Sequence, residues 1–250
     1  MLVQSIKRAV DIISLFSSNE PAWGVTQISQ ATGLNKATVW GLMTSLCQTG
    51  LLVKDPDSRK YRLGPKNFEM GMVYASTLRI NQEATELAYR LSEKTGLTVR
   101  VGIWTGEHVL TTLDHQAGAP FTLNQIGPRV PAHCTALGKA ILAFLGPGEL
   151  AHYLNHTELK RLTPKTITDK AILSSELEDT RSRGYSVNRR EYMYTRAGLG
   201  APIFQSKGQL AGGISLSGAA EMILGDQMEH LLNELLACAM HICRKMGFQP

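Results

Sequence analysis

No run in this 250-residue sequence stays apolar for the roughly 18 residues that crossing a bilayer requires. The first residues, with Lys7, Arg8 and Asp11 close together, also lack the uninterrupted apolar stretch of a signal peptide. A cytoplasmic protein with no membrane partner is expected. Cysteine is scarce: Cys47, Cys134, Cys238 and Cys243 form no Cys-x-x-Cys pair. That argues against a disulfide framework and against a structural zinc site, and leaves free thiols. Enzyme motifs are missing as well. Gly213-Ile-Ser215-Leu-Ser217 lacks the last glycine of a nucleophile elbow. His133 and Cys134 are neighbours whose side chains diverge in an extended chain, so they do not make a Cys-His couple. His152 and His156 stand four apart without the glutamate of a zincin, and no glycine loop suited to cradling phosphate occurs. An enzyme is not expected, a hydrolase being the rival reading, and neither a cofactor nor a metal is implied.

What is present is the composition of a folded chain, 43% hydrophobic and 19% charged. Its positive charge is unevenly spread. Residues 1–66 hold eight Lys/Arg against four acids, so four of the net five positive charges fall in the first quarter. A phosphate-binding module needs such an excess, because neutralising phosphates and releasing counterions supplies most non-specific affinity. An ordinary solvated surface would show it too.

The pattern of the first 80 residues goes further. Ile6, Ala9, Val10, Ile13 and Phe16 recur at three- and four-residue spacing, predicting a helix over 4–17 with that stripe in a core. A short helix at 26–32 ends at Gly33, and Asn35 can cap a second at 36–48 whose inner face is Val39, Leu42, Met43 and Leu46. Two helices joined by a glycine turn make a helix-turn-helix. The second would present Lys36, Ala37, Thr38, Trp40, Gly41, Thr44 and Ser45, a small polar face suited to a major groove. Trp40 would either touch DNA or lie against a neighbouring helix. Leu51–Lys54, the turn Asp55-Pro56-Asp57-Ser58 and Lys60–Leu63 then predict a hairpin wing, with Arg59, Lys60 and Arg62 placed for backbone phosphates. The spacing of Phe68, Met72 and Ala75 predicts a linker helix.

Beyond it the elements alternate. A helix at 82–95 precedes short strands at 98–103, 109–113 and 121–124. Helices follow at 135–145, near 147 and at 169–183, the last with Ile172, Leu173 and Leu177 inward. Strands at 185–188, 199–204 and 210–216 precede a closing helix at 227–246. The expected class is α+β, divided as 1–65, a linker helix at 66–80, and 81–250.

Several segments resemble those of the isocitrate lyase regulator (IclR) family of transcriptional regulators. They are Gly33-Leu34-Asn35-Lys36-Ala37-Thr38-Val39, Pro131–Ala140, Arg181–Tyr185 with Glu191, Ala201-Pro202, and Ile214–Gly218, and the likeness runs from about residue 4 to 247. The resemblance implies a winged helix-turn-helix joined to a GAF-like effector-binding domain. It also implies homodimers or homotetramers on a palindromic double-stranded DNA operator, acting as repressor or activator of a catabolic operon under a small organic or aromatic acid. Carried over, the effector pocket is lined by Thr135, Ala136, Leu137, Asn188, Gly198, Ser215 and Ser217. A helix start at Ala136 would favour a carboxylate, and two serines on one strand face offer donors. Thr135 acting only as a cap, and serines that only satisfy backbone groups, is the plainer alternative. Arg100 and Trp104 share the polar side of a strand; if that side lines the pocket, Arg100 would pair with an acid and Trp104 stack on a ring, and otherwise both face solvent. The sequence departs from the pattern at Gly41, where a basic residue is common, at Thr195, and at Gly198, where a missing side chain would leave room for a larger effector. Effector binding would act on the wings through the 65–80 helix, and a C-terminal domain that only oligomerises is the remaining alternative.

Overall fold

The computed structural model describes residues 3–118 and 129–249, and the chain forms two compact units, Met1–Ser76 and Thr77–Pro250. The strand expected at 121–124 lies outside the described residues.

In the first unit α1 (Gln4–Ile13), α2 (Val25–Thr32) and α3 (Lys36–Gln48) enclose a core of Ile12, Phe16, Ile28, Val39, Met43, Leu46, Leu52 and Tyr61. Gly33 takes a left-handed φ of 69° to end α2. The Asn35 side chain accepts from Thr38 N at 2.8 Å to start α3. The wing is β1 (Leu52–Lys54) paired antiparallel with β2 (Tyr61–Leu63). Asp55 Oδ1 organises its turn, accepting from Asp57 N and Ser58 N, and these hydrogen bonds hold its carboxyl below the usual range. Trp23 bonds Tyr61 through both backbone groups, tying the segment before α2 to the wing. α4 (Pro65–Thr77) follows, its start held by Asn67, whose Nδ2 donates to the carbonyls of Leu51 and Gly64.

One expectation here needs correction. α1 stops at Ile13, and Ile6 and Val10 are 61% and 55% exposed. The helix carries two apolar stripes, and the one facing the core is Ala9, Ile12, Ile13 and Phe16. None of the residues of α4 is buried, Phe68 and Met72 included.

The second unit begins with α5 (Arg79–Thr95), a separate helix because Leu78 is extended. Then come β3 (Thr98–Trp104), β4 (Val109–His115), β5 (Arg129–Val130), α6 (Ala136–Leu142), α7 (Pro147–His156), α8 (Lys170–Arg183), β6 (Ser186–Asn188), β7 (Arg196–Phe204), β8 (Leu210–Ala219), α9 (Ala220–Leu224) and α10 (Met228–Lys245). The strands form one antiparallel sheet in the order β5-β4-β3-β8-β7-β6. This is an α+β domain beside a winged helix-turn-helix. On α8, Leu173 and Leu177 are buried, whereas Ile172 is exposed; the turn of the helix leaves room for one stripe.

The two faces of the sheet differ because side chains alternate. Val99, Val101, Val187, Leu199, Ala201, Ile214 and Leu216 point to one side, into the core shared with α5 and α10. The other face carries Arg100, Asn188, Ser215, Ser217 and several glycines. The register sets Arg100 opposite Ser215, Ser215 opposite Gly200, Ser217 opposite Gly198 and Gly198 opposite Asn188. α6 lies on this face at unusually close range. A methyl at Gly200 would run into the Ala136 carbonyl oxygen, so only glycine admits the helix there.

Candidate effector pocket and DNA-reading face

The start of α6 and the polar sheet face bound a cleft of about 480 Å³, its open mouth included. That lies within the size range of small-molecule sites, roughly 300–1,000 Å³. Arg100, Val130, Thr135, Ala136, Leu137, Asn188, Tyr192, Arg196, Gly198, Ser215 and Ser217 line it.

Hydrogen bonds fix how each polar group is presented. Thr135 is committed: its hydroxyl accepts from Gly138 N at 3.1 Å and donates to Pro131 O at 2.9 Å, which makes it the cap of α6. Arg100 is held from two sides, Nε donating to Asp114 Oδ2 at 3.1 Å and Nη1 to Ser217 Oγ at 2.9 Å. Asp114 stands directly across β3 and β4 from it, so the pair is neutral and largely buried. The Asn188 Oδ1 accepts from Glu191 N at 2.8 Å, which turns its NH₂ away from that loop. Burial pushes the Tyr192 hydroxyl up, with the nearby Arg100 charge acting weakly the other way. It stays a neutral donor.

Behind the cleft, Lys139 of α6 is 1% exposed. Its Nζ donates to Val187 O at 2.6 Å, to Glu191 Oε1 at 2.7 Å and to Glu176 Oε1 at 3.2 Å. Ser186 Oγ donates to Ala136 O at 2.6 Å, and the hydroxyls of Thr163 and Thr166 donate to the carbonyls of Arg190 and Glu191. Together these bonds fasten α6 to β6 and to the loop that carries Tyr192. Beside them, burial pushes the Cys134 thiol up to about 12 and holds the His133 imidazole down. Neither group is poised for nucleophilic chemistry.

The residues expected for an effector, Thr135, Ala136, Leu137, Asn188, Gly198, Ser215, Ser217 and Arg100, are brought together here. Trp104 is not. It shares a strand face with Arg100 but lies four residues on, roughly 13 Å along the strand. Its ring meets Tyr153 edge-on at 5.7 Å and lines a different cleft with Phe144 and Glu149. Gly198 leaves little void: an added Cβ would stand 3.0 Å from Leu216 O and 3.2 Å from the Ala136 Cβ, so α6 occupies most of that space. Sequence reasoning missed Tyr192 and Arg196. Arg196 precedes Gly198 by two, so β7 begun three residues earlier than 199 would have put it on the pocket face; nothing in the spacing marks Tyr192.

In the first unit Lys36, Ala37 and Trp40 are exposed on α3, with Thr38 and Thr44 half-buried beside them. Trp40 is 59% exposed, so it does not serve as packing within its own unit. The Thr44 hydroxyl donates to Trp40 O at 2.8 Å and keeps its lone pairs outward. Arg59, Lys60 and Arg62 are exposed on the wing, where Arg59 takes a left-handed φ of 57°. Arg62 stands 3.9 Å from Asp55, a loose contact that leaves its charge largely available.

Comparison with known proteins agrees with both halves. Residues 5–56 match the IclR helix-turn-helix domain, and residues 72–244 match the description "Bacterial transcriptional regulator IclR C-terminal". The HTH-type transcriptional regulator XynR of Escherichia coli is 29% identical over 248 residues, covering 99% of this chain and 98% of its own. The crystal structure of Thermotoga maritima IclR aligns with a TM-score of 0.74 at 29% identity, over 98% of this chain and 99% of the other. An IclR homologue from Microbacterium hydrocarbonoxydans, solved with 4-hydroxybenzoate, shares the fold with a TM-score of 0.82 at 22% identity, over 97% and 99% of the two chains. These relatives are regulators, not enzymes, and this chain belongs to the IclR family of bacterial DNA-binding transcriptional regulators.

Proposed function

We propose that this chain is a regulator of a catabolic operon whose grip on DNA is set by a small organic acid bound between α6 and the polar sheet face. The observation that carries the reading is the cleft itself: a sheet face bared by glycine, walled by serine, asparagine and two arginines, and closed over by a helix pinned from behind. A domain that only oligomerises has no need of such a cavity. Lys36, Ala37, Thr38, Trp40 and Thr44 would read the major groove while Arg59, Lys60 and Arg62 hold phosphates. Residues 1–65 form the reading head in this scheme, 66–80 the connection and 81–250 the receptor. By likeness to the family, it would act as a homodimer or homotetramer on a palindromic operator. A ligand alters DNA binding only as far as its affinity differs between the DNA-competent and incompetent states.

Anisotropy titrations of labelled fragments flanking the chain's own gene, run at several salt concentrations, test the DNA half. Lys36→Ala/Arg62→Ala should weaken binding to every fragment and lower the salt slope by roughly two, about 0.9 per phosphate released. An unchanged slope would overturn the assigned DNA face. Repeating the titration with small organic acids tests the sensor half, which fails if none of them moves the affinity.

A further inference from the structure

Resting on that reading, we infer that Arg196 is the anchor for the effector's charge and that the pocket selects a monoanion. Two guanidinium groups line one cleft, yet they are in different electrostatic states. Arg100 is compensated: Asp114 accepts from it across the strand pair, and Ser217 takes a second hydrogen bond. Arg196 has neither an ion-pair nor a hydrogen-bond partner for its side chain among the described residues, although it is partly withdrawn from solvent in the same lining. The remaining lining residues, Val130, Thr135, Ala136, Leu137, Asn188, Tyr192, Gly198, Ser215 and Ser217, are uncharged. The cleft therefore carries one uncompensated positive charge.

A partly desolvated cation without a counter-ion is costly, and an anion arriving beside it recovers more than it would at a solvated arginine. Guanidinium and carboxylate meet as a two-toothed fork, which fixes orientation as well as charge. The strand register completes the assignment. Arg196, Gly198 and Gly200 share the inner face of β7, and Gly198 is directly opposite both Asn188 and Ser217. No side chain stands between Arg196 and this polar wall. A carboxylate on Arg196 leaves the rest of a small ligand lying over bare backbone at Gly198. Its hydroxyl or carbonyl groups then reach Ser217, Ser215 and the Asn188 NH₂. A dianion would leave its second charge facing the neutral Arg100–Asp114 pair, whose donors are partly used; a neutral amide would leave Arg196 uncompensated.

The test is calorimetric titration of the full chain with matched acids and primary amides: glycolate and glycolamide, lactate and lactamide, benzoate and benzamide, 4-hydroxybenzoate and 4-hydroxybenzamide. The variants are Arg196→Gln, Arg196→Lys and Arg100→Gln. At least one acid should bind the wild type, its amide roughly tenfold or more weaker. Arg196→Gln should weaken that acid roughly 10- to 100-fold, the range for a charged hydrogen bond, while leaving the amide unchanged. Arg196→Lys should restore a good part of the loss, and the melting temperature of Arg196→Gln should not fall, since no contact is removed. An acid that binds wild type and Arg196→Gln alike overturns the inference and leaves the sensor reading standing. So does an amide that binds as tightly as its acid. Binding of neither acids nor amides to the wild type overturns the sensor reading, and the inference with it.

Discussion

Replacing Lys139 by methionine removes the one cation in a pocket of buried acceptors. Its Nζ serves Val187 O, Glu191 and Glu176 at 2.6, 2.7 and 3.2 Å. Glu176 keeps Arg183 at 2.9 Å, but Glu191 keeps only the amide of Arg189 on Oε1, and its Oε2 already has no partner among the described residues. Breaking a buried pair from one side costs about 3–5 kcal/mol. For a unit of this size each kcal/mol moves the midpoint by about 2–4 °C, so a fall of roughly 6–20 °C is expected. Lys139→Met/Glu191→Gln removes the stranded charge and leaves chiefly the Val187 carbonyl unsatisfied, at about 1–3 kcal/mol. The double variant should therefore melt higher than Lys139→Met. Circular dichroism melts of wild type, both single variants and the double close a double-mutant cycle on the pair. Lys139→Met melting within about 2 °C of wild type, or strictly additive effects, would refute the reasoning.

Gly200→Ala drives a methyl into the Ala136 carbonyl oxygen and the Ser186 hydroxyl. It should cost about 1–3 kcal/mol, and by lifting α6 it should abolish acid binding in calorimetry. Asn35→Ala removes the cap of α3; about 1 kcal/mol is expected, seen as a melt of the first unit roughly 4–8 °C lower. Burial holds His133 below its ordinary value of 6.5, so the unfolded chain takes up that proton first. Stability present above about pH 6.5 is then lost as pH falls through 6.5 towards the lower folded value. His133→Gln should flatten the melting temperature between about pH 7 and pH 5, and an unaltered slope would show that another group sets it.

The winged helix-turn-helix was legible because its signals are local. Asn35, the glycine at 33 and the apolar spacing of Val39, Met43 and Leu46 bound α3 within the sequence itself. Periodicity cannot choose between two apolar stripes on one helix, which is why Ile6, Val10 and Ile172 were expected inside and stand outside. β5 and α9 are too short to show a period. At the pocket, the resemblance supplied most of the lining, yet Arg196 was hidden by a strand start set three residues late. Trp104 was misplaced because a shared strand face says nothing of distance along it. Lys139 gave no sign in the sequence: a lysine on a helix reads as solvated, and only tertiary packing brings Glu191 and the Val187 carbonyl to it.

The glycines of the inner sheet face give the receptor a division of labour. Where α6 rests, the floor is main chain, and main chain cannot be altered by substitution without displacing the helix. Chemical choice is left to a rim of a few side chains at 100, 188, 192, 196, 215 and 217, none of which bears the weight of the core. Such a receptor can exchange one acid for another by changes at its edge while its frame stays the same.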